Sequence, residues 1–220
     1  MPSPTDVDIW PLLGLRIVVS DVELTAVDDR TALDLGRLAA SGIHGNRLPF
    51  TTPWSRGSGT EVARHVYTHH SGLRQAFRPG AWSLEFAARL DHTLIGVQAI
   101  EAEDFATARS AESYSWLGLE WQGRGIGTLL RIGILTLAFD GLGATVVNTQ
   151  AWADNTASNA VTRKLGYTSN GEVVQDREGT ATVLKRWRLD RAAWEQRPAE
   201  LRPHVQLDGL EPVRAWLGLD

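Results

Sequence analysis

Residues 122–128 read QGRGIGT, and this glycine-rich segment separates two stretches with different hydrophobic patterns. Residues 111–119 (AESYSWLGL) favour a strand, whereas residues 129–140 (LLRIGILTLAFD) have helical periodicity. The first N–H groups of a helix have no acceptor within the helix and lie at the positive end of its dipole, so they bind anions, phosphates above all. Closely spaced glycines let a phosphate approach the backbone. The segment therefore predicts a strand–loop–helix junction that can bind phosphate.

Several interpretations of this segment compete. A Rossmann dinucleotide loop needs G-x-G-x-x-G after an early strand of a parallel sheet, but the spacing here is G-x-G-x-G. A Walker loop needs G-K-[ST], which the sequence lacks. A pyrophosphate loop of another kind fits the spacing, and so does a simple turn that joins a strand to a helix. The segment alone leaves these last two interpretations open.

Composition narrows the possible chemistry. The 220 residues include no cysteine, which excludes a thiolate nucleophile, disulfides and metal sites with cysteine ligands. The net charge of −4 argues against general affinity for nucleic acid. No run of about 18 apolar residues occurs and the first residues are unlike a signal peptide, so we expect a cytoplasmic protein with no membrane partner.

The remaining sequence predicts a mixed α/β fold. No internal repeat or long linker occurs, so we expect one domain over residues 1–220, with an irregular arm at 1–13 and a C-terminal extension at 192–220 that docks on the body or on a second subunit. Residues 103–110 are expected to form a polar turn. Strands are expected at residues 16–27, 82–90, 93–102, 145–152, 167–175 and 181–189, and helices at residues 28–40, 61–77 and 155–165.

A second motif lies on the last of these helices. Residues 155–161 read NTASNAV, and residues 163–167 read RKLGY. A junction with Q-x-x-G-x-G, then a strand, then N-x-x-S-N-A on a helix that ends in K-L-G-Y, resembles the GNAT superfamily of N-acyltransferases and, within it, the RimJ/RimL-like branch. The resemblance implies a single-domain α+β fold, whose mostly antiparallel mixed sheet is splayed into a V with helices on both faces. It also implies that the chain transfers an acyl group from acyl-CoA to a primary amine.

The resemblance further implies which residues bind coenzyme A. The backbone of the glycine-rich loop would hold the pyrophosphate, and the strand before it would pair with the pantetheine arm like an added strand. Asn155 would hydrogen-bond a pantetheine amide, Asn159 is a second candidate for that arm, and Lys164 would reach the adenosine phosphates. The candidate residues are Trp116, Leu117, Gly118, Leu119, Gln122, Gly123, Arg124, Gly125, Ile126, Gly127, Thr128, Asn155, Asn159 and Lys164.

Direct attack of an amine on a thioester needs a base for the amine, a donor for the carbonyl oxygen and a proton for the leaving thiolate. The resemblance gives the last role to Ser158, whose hydroxyl could instead satisfy a helix turn. A backbone N–H near Leu117 or Leu119 would be the donor. The candidate bases are Glu120, just before the glycine-rich loop, and Glu112, earlier on the strand. Each is also consistent with a plain surface carboxylate, and a water chain is an alternative base.

Residues 56–78 concentrate arginine and histidine. We expect Arg74, His70 and His69 to recognise a carboxylate on the substrate or on the acyl group. Succinyl-CoA, whose acyl group carries a carboxylate, is therefore an alternative donor to acetyl-CoA. The competing interpretation is that this segment is a solvated helix face. His65 and His69 are spaced i, i+4, but the HExxH pattern is absent, so no metal site is expected.

The acceptor stays open between a small-molecule amine and a protein N-terminus. The tail and the nine tryptophans suggest a homodimer. Two other functions remain possible on sequence alone: a catalytically silent acyl-CoA sensor, and a nucleotide-binding enzyme that uses the loop differently.

Overall fold

The computed structural model describes residues 3–219. The strands of its sheet are β1 (Arg16–Val19), β2 (Val22–Ala26), β3 (Ala81–Leu90), β4 (Thr93–Glu103), β5 (Ser110–Leu117), β6 (Val146–Trp152), β7 (Thr168–Arg177), β8 (Thr180–Asp190) and β9 (Val205–Asp208). The helices are α1 (Asp6–Ile9), α2 (Asp29–Ser41), α3 (Gly59–Ala76), α4 (Phe105–Ala108), α5 (Ile126–Thr136), α6 (Thr156–Lys164), α7 (Arg191–Glu195) and α8 (Leu210–Trp216).

The strands form one sheet of order β7-β8-β6-β5-β4-β3-β2-β1-β9, in which only β5 and β6 are parallel neighbours. These two strands pair over three positions, the last of which is Glu112 opposite Asn148. Beyond that position they diverge, which opens the sheet into a V. The expected fold class, a splayed and mostly antiparallel mixed sheet with helices on both faces, is confirmed.

The two faces of the sheet carry different cores. Helix α5 packs on one face, where its Leu130 and Ile134 belong to the larger cluster of buried side chains. Helices α2 and α3 cover the other face, where Leu35 and Val66 pack with Ala87 of β3. Because successive strand residues face opposite sides of a sheet, every second residue of β3, β4 and β5 faces α3. Polar side chains occupy many of these positions, and they form the site described below.

Three segments differ from the expectations. Residues 16–27 form two strands, because Ser20 has a left-handed φ of 52° that turns the chain back between them. Residues 103–110 contain α4, since Phe105 is fully buried and packs edge-on against Trp82. The N-terminal arm is not wholly irregular, because Thr5 caps the short helix α1.

The C-terminal segment continues the sheet. Strand β9 pairs antiparallel with β1, and Val213 of α8 is buried in the larger core. Trp216 stacks on Phe77 with a ring separation of 3.6 Å. The segment thus contacts the body of its own chain. Among the helices of residues 3–219, none has both the length and the apolar character needed to cross a membrane.

Candidate active site

The glycine-rich loop is open on one side. Gly123 and Gly125 have φ angles of 72° and 81°, in the left-handed region that favours glycine. Among the described residues, apart from each glycine and its two chain neighbours, no heavy atom lies within 4 Å of the position that a Cβ would take at either glycine. The N–H of Thr128 donates to the carbonyl of Gly125 at 3.0 Å, whereas the N–H groups before it in the first turn of α5 have no acceptor inside the helix. This combination fits a bound phosphate.

Gln122 anchors the loop to the body of the protein. Its Nε2 donates to the carbonyls of Ile43 and Leu117, at 2.8 Å each. The N–H of Leu119 donates to the carbonyl of Gly42 at 3.2 Å. The Gln122 side chain therefore holds the loop in shape, and the Leu119 N–H is already engaged rather than free to serve as an oxyanion donor.

Strand β5 offers a main-chain edge beside the loop. On one side Trp116 lies opposite Val97 of β4. On the other side, within the sheet as the structure describes it, no strand pairs with β5 beyond Glu112. The two arms of the V are linked where they separate, since Oγ1 of Thr149 donates to the carbonyl of Ser113 at 2.8 Å. The free edge that follows runs towards the glycine-rich loop, as an added strand-like ligand requires.

The second motif lies at the start of α6. The side-chain oxygen of Asn155 accepts from the N–H of Ser158 at 3.1 Å and so caps the helix, while its amide nitrogen has no partner in residues 3–219. Ser158 is half-buried, and its hydroxyl forms no hydrogen bond within the same residues. The Thr162 hydroxyl instead donates to the Ser158 carbonyl at 2.9 Å. The Ser158 hydroxyl is therefore free for a ligand, and the alternative that it satisfies a helix turn does not hold.

Asn159 does not fit its expected role. It is 2% exposed, and its Nδ2 donates to the carbonyls of Trp152 and Asn155 at 2.8 Å each. Its Oδ1 accepts from Nε1 of Trp187 at 3.0 Å. With both N–H groups and the oxygen engaged, Asn159 ties α6 to β6 and β8 and has no group left for coenzyme A.

Two of the candidate cofactor residues are exposed cations. Arg124 lies in the loop with its guanidinium 5.3 Å from the ring of Trp121. Lys164 is exposed at the C-terminal end of α6. Their positions at the surface suit contacts with phosphate groups, and Lys164 also complements the helix dipole.

An acidic cavity of about 530 Å³ lies between the end of α3 and the sheet, where β5 and β6 begin to separate. Glu101 of β4 lies opposite Glu112 of β5. Burial raises the pKa of Glu112, and burial followed by the charge of Glu112 raises the pKa of Glu101. Two adjacent carboxylates favour a cationic ligand or a shared proton. The polar lining consists of Arg78, Ser83, Glu101, Glu103, Ser110, Glu112 and Asn148.

A buried carboxylate lies on the same face of the sheet. Glu85 of β3 has 5% of its side chain exposed, and its Oε1 accepts from Nε2 of His69 at 2.8 Å and from the hydroxyl of Tyr114 at 2.6 Å. Nδ1 of His70 lies 2.7 Å from its Oε2. Burial alone would raise the pKa of Glu85, but the two histidines hold it well below its usual range. The hydrogen bond to Glu85 raises the pKa of His69, and burial beside this carboxylate raises that of Tyr114.

These contacts overturn the expected carboxylate-binding cluster. His69 and His70 are paired with Glu85, and Arg74 donates to the carboxylate of Asp29 and to the carbonyl of Val27. The three side chains expected to bind a carboxylate are therefore already engaged by groups on other elements. The cavity beside them carries acidic groups instead.

The two candidate bases lie in different places. Glu112 lines the acidic cavity, whereas Glu120 is exposed in the 3-10 turn after β5. Strand β5 ends at Leu117, and Glu120 lies in the turn that follows it. Glu120 thus lies outside the groups that line the cavity. In residues 3–219 no cluster of His, Asp and Glu is arranged to hold a metal ion.

Sequence reasoning missed Glu85, Glu101 and Tyr114. The hydrophobic pattern could have indicated Glu85 and Glu101, because each is a carboxylate inside a strand whose other positions are largely apolar. An acidic residue inside such a strand costs stability unless it is paired or functional.

Comparisons with known proteins agree with this geometry. A family model described as an acetyltransferase (GNAT) domain matches residues 31–168, more than half of the chain. RimL, a ribosomal L7/L12 alpha-N-protein acetyltransferase solved with coenzyme A, is 22% identical with a TM-score of 0.67, and the match covers 80% of this chain and 97% of RimL. RimJ of Mycobacterium smegmatis, solved with a CoA disulfide, is 21% identical with a TM-score of 0.68 and coverages of 93% and 95%.

A chimera of the spermidine N-acetyltransferase SpeG from Vibrio cholerae and hSSAT is 16% identical, with a TM-score of 0.64 and coverages of 81% and 100%. At these identities the three structures show a shared fold. The family match itself spans both motifs that carry the resemblance, from α2 through the glycine-rich loop to the start of β7. The chain therefore belongs to the GNAT family of acetyltransferases, and its fold is that of RimL and RimJ.

Proposed function

We propose that the chain transfers an acetyl group from acetyl-CoA to a primary amine by direct attack within a ternary complex. The observation that carries this proposal is the continuity of two features, the free edge of β5 and the open glycine-rich loop that follows it. The edge suits an extended amide-bearing arm, and the loop suits a pyrophosphate. Lys164 and the free amide nitrogen of Asn155 are further contacts for acetyl-CoA, whereas Asn159 has only a structural role.

The choice of acetyl over succinyl rests on charge. The arginine and histidine side chains expected to bind a second carboxylate are already paired. The cavity beside the V is lined by three glutamates and one arginine, so it favours a cationic group. An ammonium acceptor fits this lining, and both protein N-termini and polyamines, the substrates named for RimL and SpeG, carry one.

Thermal unfolding with CoA, acetyl-CoA, succinyl-CoA and NAD tests the binding half of the proposal. A ligand at a hundred times its dissociation constant stabilises the folded state by about 2.7 kcal/mol. We expect a rise in Tm with the CoA compounds and none with NAD.

Turnover is measured with acetyl-CoA and succinyl-CoA on spermidine and on a peptide with a free N-terminus. Binding without turnover on any amine would favour an acyl-CoA sensor, and faster turnover with succinyl-CoA would refute the acetyl assignment.

Ser158→Ala is expected to lower kcat about tenfold with little change in the KM for acetyl-CoA. The free hydroxyl of Ser158 is the group that we assign to protonating or hydrogen-bonding the leaving sulfur, an interaction that strengthens only as the C–S bond breaks. Thr156→Ala, a change at an exposed hydroxyl two residues away, is the control. An unchanged kcat in Ser158→Ala would remove the serine from the reaction.

Glu112→Gln is expected to raise the KM for a cationic acceptor about tenfold, because the cavity loses one of its facing carboxylates. The effect should shrink for an amine with a single charge and at high salt. Glu120→Gln removes the same charge from an exposed turn and should leave this KM unchanged. Steady-state kinetics on both variants measures these KM values. An equal rise in KM for the two variants would mean that the acceptor responds to the overall charge of the protein and not to the cavity.

A further inference from the structure

One buried carboxylate, Glu85, has no part in the functions assigned so far. Glu85 lies beneath α3 and takes polar partners from α3 and from β5. Burying a charge is costly even when it is paired, and an apolar residue is usually as good for stability. The neighbouring position on the same face, Ala87, is such a residue. A carboxylate at this buried position therefore indicates a role beyond packing.

We propose that His69 takes the proton of the acceptor ammonium, and that Glu85, fixed by Tyr114 and His70, is the positioning residue that orients the His69 ring. The inference rests on the acetyl transfer proposed above. It assigns the base that the sequence left open between Glu120, Glu112 and a water chain, and it leaves Glu112 as a group that binds the acceptor.

The ring of His69 has one engaged and one free nitrogen. Nε2 donates to Oε1 of Glu85 at 2.8 Å, so in the neutral ring the lone pair lies on Nδ1. Nδ1 has no partner in the part of the chain that the structure describes, and 53% of the side chain is exposed. Leu73, one helical turn further along α3, lines the acidic cavity. The free basic nitrogen thus belongs to a residue one helical turn from the cavity lining, and the charge of Glu101, which lines that cavity, acts on it.

Glu85 is itself held from several directions. The hydroxyl of Tyr114 donates to the same Oε1 at 2.6 Å and accepts from the hydroxyl of Ser83 at 3.0 Å. His70, 4% exposed, contacts the other oxygen at 2.7 Å. A carboxylate whose accepting oxygen is held by a second hydrogen bond fixes the tautomer and the plane of the histidine that donates to it, as in carboxylate–histidine pairs of hydrolases.

The charges around His69 favour its protonated form. Glu85 of β3 and Glu101 of β4 both face His69. His70 lies beside His69 on α3, with a ring separation of 5.6 Å. Tyr114 of β5 contacts Glu85 and acts on His69 through that carboxylate. The hydrogen bond to Glu85 raises the pKa of His69, burial opposes this, and the two glutamate charges add to the rise. The imidazolium that forms on proton transfer is therefore stabilised.

The proton balance is simple. The acceptor enters as R–NH₃⁺ and gives one proton to Nδ1 of His69. The amine lone pair then forms the C–N bond, the C–S bond breaks with its electron pair on sulfur, and a second proton from nitrogen ends on the thiolate. His69 returns its proton to water. An ammonium and a thioester thus give an amide, a thiol and one proton.

The test compares His69→Gln, His69→Ala and Glu85→Gln with a matched control, His65→Gln, an exposed histidine one turn earlier on α3. The pH dependence of kcat/KM is measured for acetylation of spermidine and of a peptide with a free N-terminus, and Tm with acetyl-CoA verifies folding and donor binding. We expect His69→Gln to lose about 100-fold in kcat/KM together with the ionisation seen at acidic pH. Glu85→Gln should move that ionisation to lower pH, because the carboxylate no longer raises the pKa of His69, and added imidazole should restore part of the activity of His69→Ala.

The outcomes separate this inference from the proposed function. If His69→Gln keeps kcat/KM within about twofold and keeps the ionisation, His69 is not the base. A loss of rate with an unchanged ionisation and no rescue by imidazole also overturns the inference, since it would show a structural role. If the wild type binds no CoA or acetylates neither probe, the proposed function fails first, and the base assignment fails with it.

Discussion

Gly125→Asp weakens the binding of acetyl-CoA by about 100-fold or more. The residue has a φ of 81° and an open space where its side chain would lie, on the side of the loop that we assign to the pyrophosphate. An aspartate there both fills the space and places a negative charge against the phosphates, and such like-charge contacts cost several kcal/mol. Each 1.4 kcal/mol is a tenfold change in Kd. Titration calorimetry with CoA and acetyl-CoA measures the change.

The chain contains a matched control. Gly179, in the turn between β7 and β8, has a φ of 82° and an equally open Cβ position. Aspartate at either position bears the same cost of a left-handed backbone, about 1 kcal/mol. Gly179→Asp should therefore lower the free energy of unfolding as much as Gly125→Asp does, while acetyl-CoA binding stays as in the wild type. Equal Kd values for the two variants would mean that the glycine-rich loop is only a turn.

The local structures around the candidate site that were predicted correctly depend on local sequence. The glycine-rich loop could be predicted to lie at a strand–helix junction because the glycines and the change of hydrophobic periodicity lie within a few residues of each other. The start of α6 was placed well for the same reason, since Asn155 caps the helix from the adjacent position. Short-range signals of this kind do not need knowledge of the tertiary structure.

The errors concern partners that are distant in sequence. Arg74 looked like a free cation, but Asp29 neutralises it across the contact between α2 and α3. His69 and Glu85 are brought together by the packing of α3 on the sheet, which no spacing rule indicates. Asn159 matched a motif, yet its hydrogen bonds go to Trp152 and to the indole of Trp187. A motif gives the residue type at a position, and only the packing decides which groups remain free.

His70→Leu should lower the free energy of unfolding by about 3 kcal/mol at pH 7. Leaving one oxygen of a buried carboxylate without its polar neighbour costs about 1 to 3 kcal/mol, and more for a charged group, while His69 and Tyr114 still hydrogen-bond the other oxygen of Glu85. Urea denaturation of the variant and the wild type measures the difference. His65→Leu, at an exposed position of the same helix, is the control and should change stability little.

The pH dependence of this difference identifies the cause. In the wild type the pKa of Glu85 is lowered, so its pairing stabilises the fold above the unfolded value of about 4.3, and this contribution is lost as the pH falls. Without His70, burial raises the pKa of Glu85 with less opposition, so Glu85 takes up a proton at a higher pH. The free energies of unfolding of the variant and the wild type should therefore converge as the pH falls towards about 4. Replacing Glu85 by leucine as well removes the carboxylate, and the double variant should be more stable than His70→Leu at pH 7. A gap that stays constant with pH, or a double variant less stable than His70→Leu, would show that His70 contributes through packing and not through its contact with the Glu85 carboxylate.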